Sequence, residues 1–157
     1  MRVDSAYYTM PRSHHVQIDL PVSPEEVFAA LITPSAICAW WSASKAIVVP
    51  EAGGMWMATW GEDEDAPDYI SGATLSVFEP PHRLVMSNMK YVARTGCLHF
   101  EADLPTEFTI EPTDSSCTLH VHQTGFPDDP IADEHYRGCE VGWERTLASL
   151  KTFLSKS

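Results

Sequence analysis

Apolar and polar residues alternate along His15–Leu20, the first clearly patterned segment of the chain. Alternation with a period of two predicts a strand with one buried face. The pattern then becomes helical, because Ser23 can cap a helix and Pro24 suits its first turn. A second cap-and-proline pair, Thr33-Pro34, predicts another short helix that ends near two adjacent tryptophans. Two short helices are therefore expected directly after the first strand.

The middle of the chain predicts antiparallel strands joined by turns rich in proline and glycine. Gly53-Gly54, Glu79-Pro80-Pro81 and Pro112–Ser115 supply the turn residues, and Glu62–Asp65 is an acidic loop. The predicted strands are Ala46–Val49, Met55–Trp60, Tyr69–Phe78, Arg83–Met89, Pro105–Glu111 and Ser116–Thr124.

The last predicted element is one long helix. Asp129 can cap it and Pro130 suits its first turn. Its apolar stripe recurs every three or four residues and comprises Tyr136, Cys139, Trp143, Leu147, Leu150 and Leu154. A helix of about 25 residues is roughly 37 Å long, enough to cross a whole sheet. The order of elements predicts an α+β domain in which a curved antiparallel sheet wraps around this helix. A cavity is expected where sheet and helix diverge, and such gaps are favoured ligand pockets.

Length and charge narrow the function classes. The chain has 157 residues, which suits one domain, and we expect residues 1–13 to form a flexible arm ahead of a domain at 14–157. With 22 acidic and 10 basic residues the net charge is −12, which argues against nucleic acid and anionic membranes as partners. No apolar run approaches the roughly 18–20 residues of a membrane span, and no membrane insertion is expected.

The N-terminus and the cysteines predict a cytoplasmic location. Met1–Pro11 is polar and lacks the apolar core of a signal peptide. None of the four cysteines is spaced as a zinc or redox pair, so four reduced thiols are expected. They are Cys38, Cys97, Cys117 and Cys139.

Four stretches in this order resemble one known family. They are Val22–Phe28 with Thr33-Pro34 and Trp40-Trp41, then Gly53-Gly54 before an aromatic strand, then Gly72 with Phe78–Val85, and finally Thr124–Pro127 with Gly142-Trp143-Glu144 and two leucines beyond. The resemblance is to the AHSA-type branch of the START-like, or SRPBCC, superfamily. That branch is named after the C-terminal domain of a heat-shock chaperone ATPase activator, and the resemblance spans about residues 14–155.

The resemblance implies the helix-grip fold, also found in the birch pollen allergen, with a cavity between the sheet and the C-terminal helix. Relatives bind lipids, hormones, polyketides or other apolar molecules, and some are cyclases or hydratases. The chaperone-activating relatives carry an additional N-terminal domain, for which a chain of 157 residues has no room. This difference argues against chaperone activation, and a chaperone partner is only a secondary alternative.

Aromatic residues dominate the candidate ligand cavity. An ordinary core is one interpretation of these residues. Tryptophan usually finds a use for its indole N–H, however, so five in one small domain suggest that several line a partly open cavity. Gln123 is the polar candidate, because period two places it on the inner face with Leu119 and Val121. The expected cavity residues are Trp40, Trp41, Trp56, Trp60, Tyr69, Phe108, Gln123, Phe126, Tyr136 and Trp143.

Residues on the opposite strand faces suggest weaker alternatives. His120 and His122 share a face and have the spacing of a metal-chelating pair, but that face should meet solvent, so no metal is expected. Met55 and Met57 lie opposite Trp56, which suggests a homodimer contact.

No catalytic motif or cofactor-binding motif is present, so no catalytic residue and no cofactor are expected. The candidate acid–base groups at a cavity mouth are Tyr69, His82, Arg83, His99 and Glu101. The leading hypothesis is a module that binds a small apolar molecule. The alternatives are a cofactor-free enzyme of the cyclase or hydratase kind, and a module that binds a chaperone or another protein.

Overall fold

The computed structural model describes residues 12–63, 65–94, 96–97, 104–114 and 116–156. Most of the predicted arm, residues 1–11, lies outside this part of the chain, as do His99 and Glu101, whereas Arg12 and Ser13 begin the first strand. In chain order the elements are β1 (Arg12–Leu20), α1 (Pro24–Ile32), α2 (Pro34–Trp40), β2 (Lys45–Val48), β3 (Met55–Trp60), β4 (Tyr69–Glu79), β5 (Arg83–Ala93), β6 (Gly96–Cys97), β7 (Thr106–Pro112), β8 (Cys117–Phe126) and α3 (Asp133–Leu154).

The strands form one antiparallel sheet in the order β1-β8-β7-β5-β4-β3-β2, with the short β6 paired to β5. The order of elements confirms the predicted architecture: two short helices follow the first strand, a curved sheet follows them, and a long helix ends the chain. Trp56 of β3 is buried while its neighbour Met55 is 49% exposed, so the register of β3 is the predicted one.

The two short helices begin at the predicted prolines, but their caps differ. The Ser23 hydroxyl accepts a hydrogen bond from the Glu26 N–H at 3.3 Å, as the capping pattern predicts. Thr33 occupies the same position before α2, but its side chain makes no capping hydrogen bond. The prediction of a threonine cap was therefore wrong. The Thr33 backbone N–H instead donates to the Ala29 carbonyl and ends α1, so one residue serves both helices.

Tryptophan side chains fasten these helices to each other and to the sheet. The last carbonyls of a helix lack intrahelical partners. Near the end of α1, the Ala30 carbonyl accepts the Trp40 indole N–H at 2.8 Å, and the Leu31 carbonyl accepts that of Trp56 at 3.2 Å. In the same way Trp60 Nε1 donates to the carbonyl of Trp41, the residue that caps α2, at 2.9 Å. These indole N–H groups therefore have structural partners.

A bulge in β5 brings extra side chains to the inner face of the sheet. The register between β4 and β5 shifts between Gly72 and Thr74, opposite the stretch of β5 that contains Asn88, whose φ is 54°. As a result Met86, Met89 and Tyr91 all line the same inner pocket although their spacing is not strictly alternating. The strand also runs to Ala93, four residues beyond the predicted end.

The long helix is preceded by a single 3-10 turn, Pro130–Ala132, and it is this turn that Asp129 caps. Helix α3 then runs for 22 residues, roughly 33 Å. Its C-terminal half buries Leu147, Leu150 and Leu154 in the core. Among the helices that the structure describes, none has both the length and the apolar character to cross a membrane.

The N-terminal half of α3 is held against β1 by aromatic and polar contacts. The His14 ring stacks on Tyr136 with 4.0 Å between centroids, and its Nε2 donates to the Tyr136 carbonyl at 2.7 Å. The Arg12 guanidinium lies over the Tyr136 ring, with its Cζ 4.5 Å from the ring centroid. Its Nη1 donates to Asp133 Oδ1 at 2.7 Å. The start of α3 is thus anchored at one side, while its other side faces the interior of the sheet.

Candidate functional site

A half-open pocket lies between the inner face of the sheet and the N-terminal half of α3. Its volume is about 220 Å³. The lining is mostly apolar and comes from β3, β4, β5, β7, β8, α3, the residue after α2 and the segment just before β7. The lining residues are Trp41, Trp56, Trp60, Ser71, Met86, Met89, Tyr91, Leu104, Thr106, Gln123, His135, Cys139, Gly142, Trp143 and Thr146.

Trp41 is the centre of the aromatic wall. It directly follows α2, and its ring contacts each of the other four tryptophans. The centroid separations are 4.9 Å to Trp40, 5.4 Å to Trp56, 5.9 Å to Trp60 and 5.4 Å to Trp143. Aromatic rings at such distances stabilise one another beyond the area they bury. The wall is therefore a preformed apolar surface.

A chain of hydrogen bonds, which we call the floor, closes the pocket beneath Trp143. The Trp143 indole N–H donates to Gln123 Oε1 at 3.0 Å, and Gln123 Nε2 donates to Thr106 Oγ1 at 3.2 Å. The Thr106 hydroxyl in turn donates to the Leu104 carbonyl at 3.1 Å. Gln123 is only 6% exposed, so these bonds offset the cost of burying its amide.

Two hydroxyl groups line the pocket on β4 and β5, away from the floor. We call these residues, Ser71 and Tyr91, the hydroxyl edge. These residues are direct cross-strand partners on β4 and β5, and both line the pocket. Within the described part of the chain, neither hydroxyl makes a hydrogen bond to protein. Burial, with Tyr69 and Cys139 nearby, raises the pKa of the Tyr91 phenol, which keeps it protonated near neutral pH.

Two titratable side chains from consecutive turns of α3 stand beside this edge. Cys139 Sγ lies 3.4 Å from His135 Nε2, and the His135 ring centroid is 6.0 Å from that of Tyr91. Burial, together with the charge of His14, lowers the pKa of His135, and burial raises the pKa of Cys139 to about 11. The pair is therefore a neutral imidazole and a neutral thiol, rather than the ion pair of an activated cysteine.

Five of the ten residues expected in the cavity line this pocket: Trp41, Trp56, Trp60, Gln123 and Trp143. The other five lie elsewhere. Trp40 is buried behind Trp41, and Phe108 is buried with its ring edge-on to Trp143 at 5.8 Å. Tyr69 is 38% exposed and stacks on Trp60 at 5.3 Å, outside the lining.

Phe126 and Tyr136 belong to the anchor of α3 rather than to the pocket lining. Phe126 is fully buried, 4.9 Å from the His14 ring and 5.2 Å from the Tyr136 ring. The Tyr136 hydroxyl donates to the Ser13 carbonyl at 2.9 Å. Both residues thus position the helix that borders the pocket without lining it.

Sequence reasoning missed the titratable residues that do line the pocket: Tyr91, His135 and Cys139. His135 was not in the predicted stripe, but it lies four and eight residues before Cys139 and Trp143, and this spacing could have indicated that it shares their face. Tyr91 required the bulge in β5. Of the proposed acid–base groups that the structure describes, Tyr69, His82 and Arg83 are not in the lining, and Arg83 Nε pairs with Glu107 at 2.5 Å.

The outer face of the sheet carries the histidines considered for a metal. His15 Nε2 lies 3.1 Å from His120 Nδ1, and His120 Nε2 lies 3.6 Å from Glu111. No group of three His, Cys, Asp or Glu side chains suited to a metal ion exists among the described residues. The exposed outer residues near the sheet edge include Ile47, Val49 and Met55.

A family model described as "Activator of Hsp90 ATPase homolog 1-like protein" matches residues 21–155. This match covers most of the chain, and the chain therefore belongs to that family, within the SRPBCC or START-like superfamily. A comparison with curated proteins found no match.

Solved structures show the same fold at low sequence identity. MLL2253 from Mesorhizobium loti is 21% identical, with 93% of this chain and 98% of that chain covered and a TM-score of 0.75. CV1439 from Chromobacterium violaceum is 20% identical, with 92% and 98% covered and a TM-score of 0.70. DynU16, described as a protein in the dynemicin biosynthetic locus, is 16% identical, with 91% of this chain and 47% of that chain covered and a TM-score of 0.70.

Proposed function

We propose that this member of the Activator of Hsp90 ATPase homolog 1-like family binds a small, largely apolar molecule between its sheet and α3. The observation that carries the proposal is the tryptophan-walled pocket. Protein interiors are normally packed to the density of organic crystals. A half-open space of about 220 Å³ against preformed aromatic surfaces is where such a molecule would gain most from leaving water.

The pocket volume limits the size of the ligand. An engineered apolar cavity of about 150 Å³ holds one benzene molecule. The pocket here is somewhat larger and is open on one side, so one ring with a short chain, or two fused rings, is the expected size. Long-chain lipids are not expected to fit entirely inside. The position of DynU16 in a biosynthetic locus is a property of that protein, and it agrees with a small-molecule role for this fold.

Native mass spectrometry of the purified protein, followed by organic extraction, tests the proposal. Gly142 lines the pocket and a Cβ built there meets nothing within 4 Å, whereas Gly138 on the same helix is exposed and equally unobstructed. We expect Gly142→Met to fill the pocket and lose the molecule that wild type and Gly138→Met retain.

Equal retention by Gly142→Met would contradict the proposal. If nothing co-purifies, an aromatic fragment library is titrated while the indole N–H signals are followed by NMR. Failure of every fragment to shift the signals of the lining tryptophans would also overturn it.

A second candidate function is a cofactor-free enzyme that moves a proton within the bound molecule. It is favoured by the convergence of His135, Tyr91 and Cys139 on one pocket, each with a shifted pKa. A neutral imidazole can take a proton from carbon next to a carbonyl, and a neutral phenol can donate a hydrogen bond to the carbonyl oxygen.

Deuterium exchange distinguishes this enzyme from a binding module. The retained molecule is incubated with the protein in D₂O, and its mass is followed. An enzyme of this kind would add deuterium, and His135→Asn and Tyr91→Phe would each slow that addition. A molecule that gains no deuterium and gives no product argues for binding alone.

We further propose a homodimer contact at the edge of the sheet and a cytoplasmic location. Ile47 in the edge strand β2 and Val49 directly after it are exposed close to Met55. The cysteine side chains that the structure describes, Cys38, Cys117 and Cys139, are free thiols. Light scattering tests the dimer: wild type should have the mass of two chains and Met55→Glu that of one. Alkylation in freshly lysed cells without reductant tests the location, because thiols kept reduced in the cytoplasm should all be alkylated.

A further inference from the structure

We propose that the ligand is an uncharged molecule whose apolar body packs on the tryptophan wall and whose oxygen atom hydrogen-bonds to the hydroxyl edge formed by Ser71 and Tyr91. This inference rests on the proposed function and specifies its chemistry: a phenol, alcohol or ketone on a ring-containing body. It also assigns the two hydroxyls a binding role.

The floor and the two neighbouring tryptophans Trp56 and Trp60 have few free hydrogen-bonding groups for a polar ligand. The indole N–H groups of Trp56, Trp60 and Trp143 already donate to protein oxygens. The Gln123 amide is bonded at both its oxygen and its nitrogen. A ligand atom that competed for these groups would leave a buried donor or acceptor without a partner, which costs about 1–3 kcal/mol. The floor and these two tryptophans therefore act towards a ligand as an apolar surface.

The hydroxyl edge is different because its hydrogen-bonding capacity is not used. Ser71 and Tyr91 stand opposite each other in register, so their side chains lie on the same face of adjacent strands. By contrast, Ser76 Oγ on the outer face of β4 is 2.7 Å from Ser87 Oγ and is already bonded. A ligand oxygen near the edge can accept from the phenol and exchange a bond with the serine.

The charges around the pocket favour an uncharged ligand. No lysine or arginine occurs among the lining residues that the structure describes, and the chain as a whole carries a net charge of −12. Burying an anion without a partner is costly. The shifted pKa values of Tyr91 and His135 keep both groups neutral near pH 7, which agrees with this argument.

Three matched probes test the inference by calorimetry: propylbenzene, 4-propylphenol and 4-propylbenzoate. They share a ring and a short chain and differ in one polar group. We expect 4-propylphenol to bind about three- to tenfold more tightly than propylbenzene, the gain of a net hydrogen bond, and 4-propylbenzoate to bind most weakly. Tyr91→Phe and Ser71→Ala should each reduce the advantage of the phenol and leave propylbenzene binding unchanged. Ser76→Ala, on the outer face of the same strand, should change neither.

The outcomes separate this inference from the proposed function. If propylbenzene binds as tightly as the phenol, or if Tyr91→Phe weakens both equally, the hydroxyl edge has no role although the pocket binds ligands. Tight binding of 4-propylbenzoate would contradict the uncharged ligand. Failure of all three probes, shown also by unchanged indole signals, counts against the proposed function and overturns this inference with it.

Discussion

The two halves of α3 perform different tasks although they form one continuous helix. The C-terminal half presents Leu147, Leu150 and Leu154, which are all buried in the core. The N-terminal half presents His135, Cys139 and Gly142 to the sheet, and a pocket remains there. The difference shows how one continuous helix over one sheet can both close a core and leave a site.

Side-chain size explains where the gap lies. Leucine fills the space where α3 is close to the sheet. Glycine and cysteine are too small to fill it where sheet and helix diverge, and a Cβ at Gly142 would meet nothing within 4 Å. The anchoring of Tyr136 by His14 and Arg12 keeps this half of the helix in place without packing beneath it.

The largest expected effect is on the packed half of the helix. Leu150→Ala removes a fully buried side chain and should lower the free energy of unfolding by about 2–5 kcal/mol. Cys139→Ala shortens a side chain that borders the pocket and should lower the free energy of unfolding by much less. Urea unfolding of the two variants compares them. Equal losses would mean that both halves are packed alike.

The reactivity of Cys139 tests whether the pocket half is nevertheless shielded from water. Because its pKa rises from 9.0 to about 11, its thiolate should be about a hundredfold scarcer than that of an ordinary thiol below pH 9. Alkylation with iodoacetamide, followed by peptide mass mapping, should therefore be slow in the folded protein and fast in urea. Similar rates in both states would show an open, hydrated site.

Breaking the floor should have an intermediate effect. Gln123→Leu removes the partner of both Trp143 and Thr106 and should cost about 1–3 kcal/mol of stability, because a buried indole N–H loses its acceptor. Adding Trp143→Phe to this variant should lower the free energy of unfolding by less than the same substitution does in wild type. Chemical denaturation of the double-mutant cycle measures the coupling, and strict additivity would contradict it.

The helix glycines should separate stability from binding. Gly142→Ala and Gly138→Ala should each stabilise the protein by about 0.5–1 kcal/mol, since alanine favours a helix and both sites have room for a Cβ. Gly142→Ala alone should weaken the binding of 4-propylphenol, because its methyl group enters the pocket. Thermal unfolding and calorimetry give the two readouts. A loss of binding in Gly138→Ala would point to a general effect on α3.

The smallest effect is a pH dependence in the pocket half. The pKa of His135 is lower in the folded protein than its ordinary value of 6.5, so the unfolded chain binds its proton more readily. His135 should therefore favour the folded state fully above pH 6.5 and progressively less as the pH falls towards the folded pKa. His135→Asn should flatten the pH dependence of stability between about pH 7 and 5. An unchanged profile would show that the imidazole is not desolvated.

Much of the fold could be predicted from local patterns. Alternation along β1 and β3, prolines at the start of α1 and α2, and the stripe of leucines in α3 each depend on residues close together in sequence. The inward position of Gln123 followed from the same alternation. Period and burial do not distinguish Trp41, which lines the pocket, from Trp40 and Phe108, which are buried behind it.

The sequence by itself determined the order of elements, the buried faces and the family to which the chain belongs, because these depend on short-range periodicity and on contiguous motifs. Only the tertiary structure decided which polar groups are still available in the pocket. The β5 bulge turns Tyr91 inward, the ends of the short helices take up indole N–H groups, and the register of β4 against β5 sets Ser71 beside Tyr91. Each of these depends on partners distant in sequence, and no local pattern encodes such pairings.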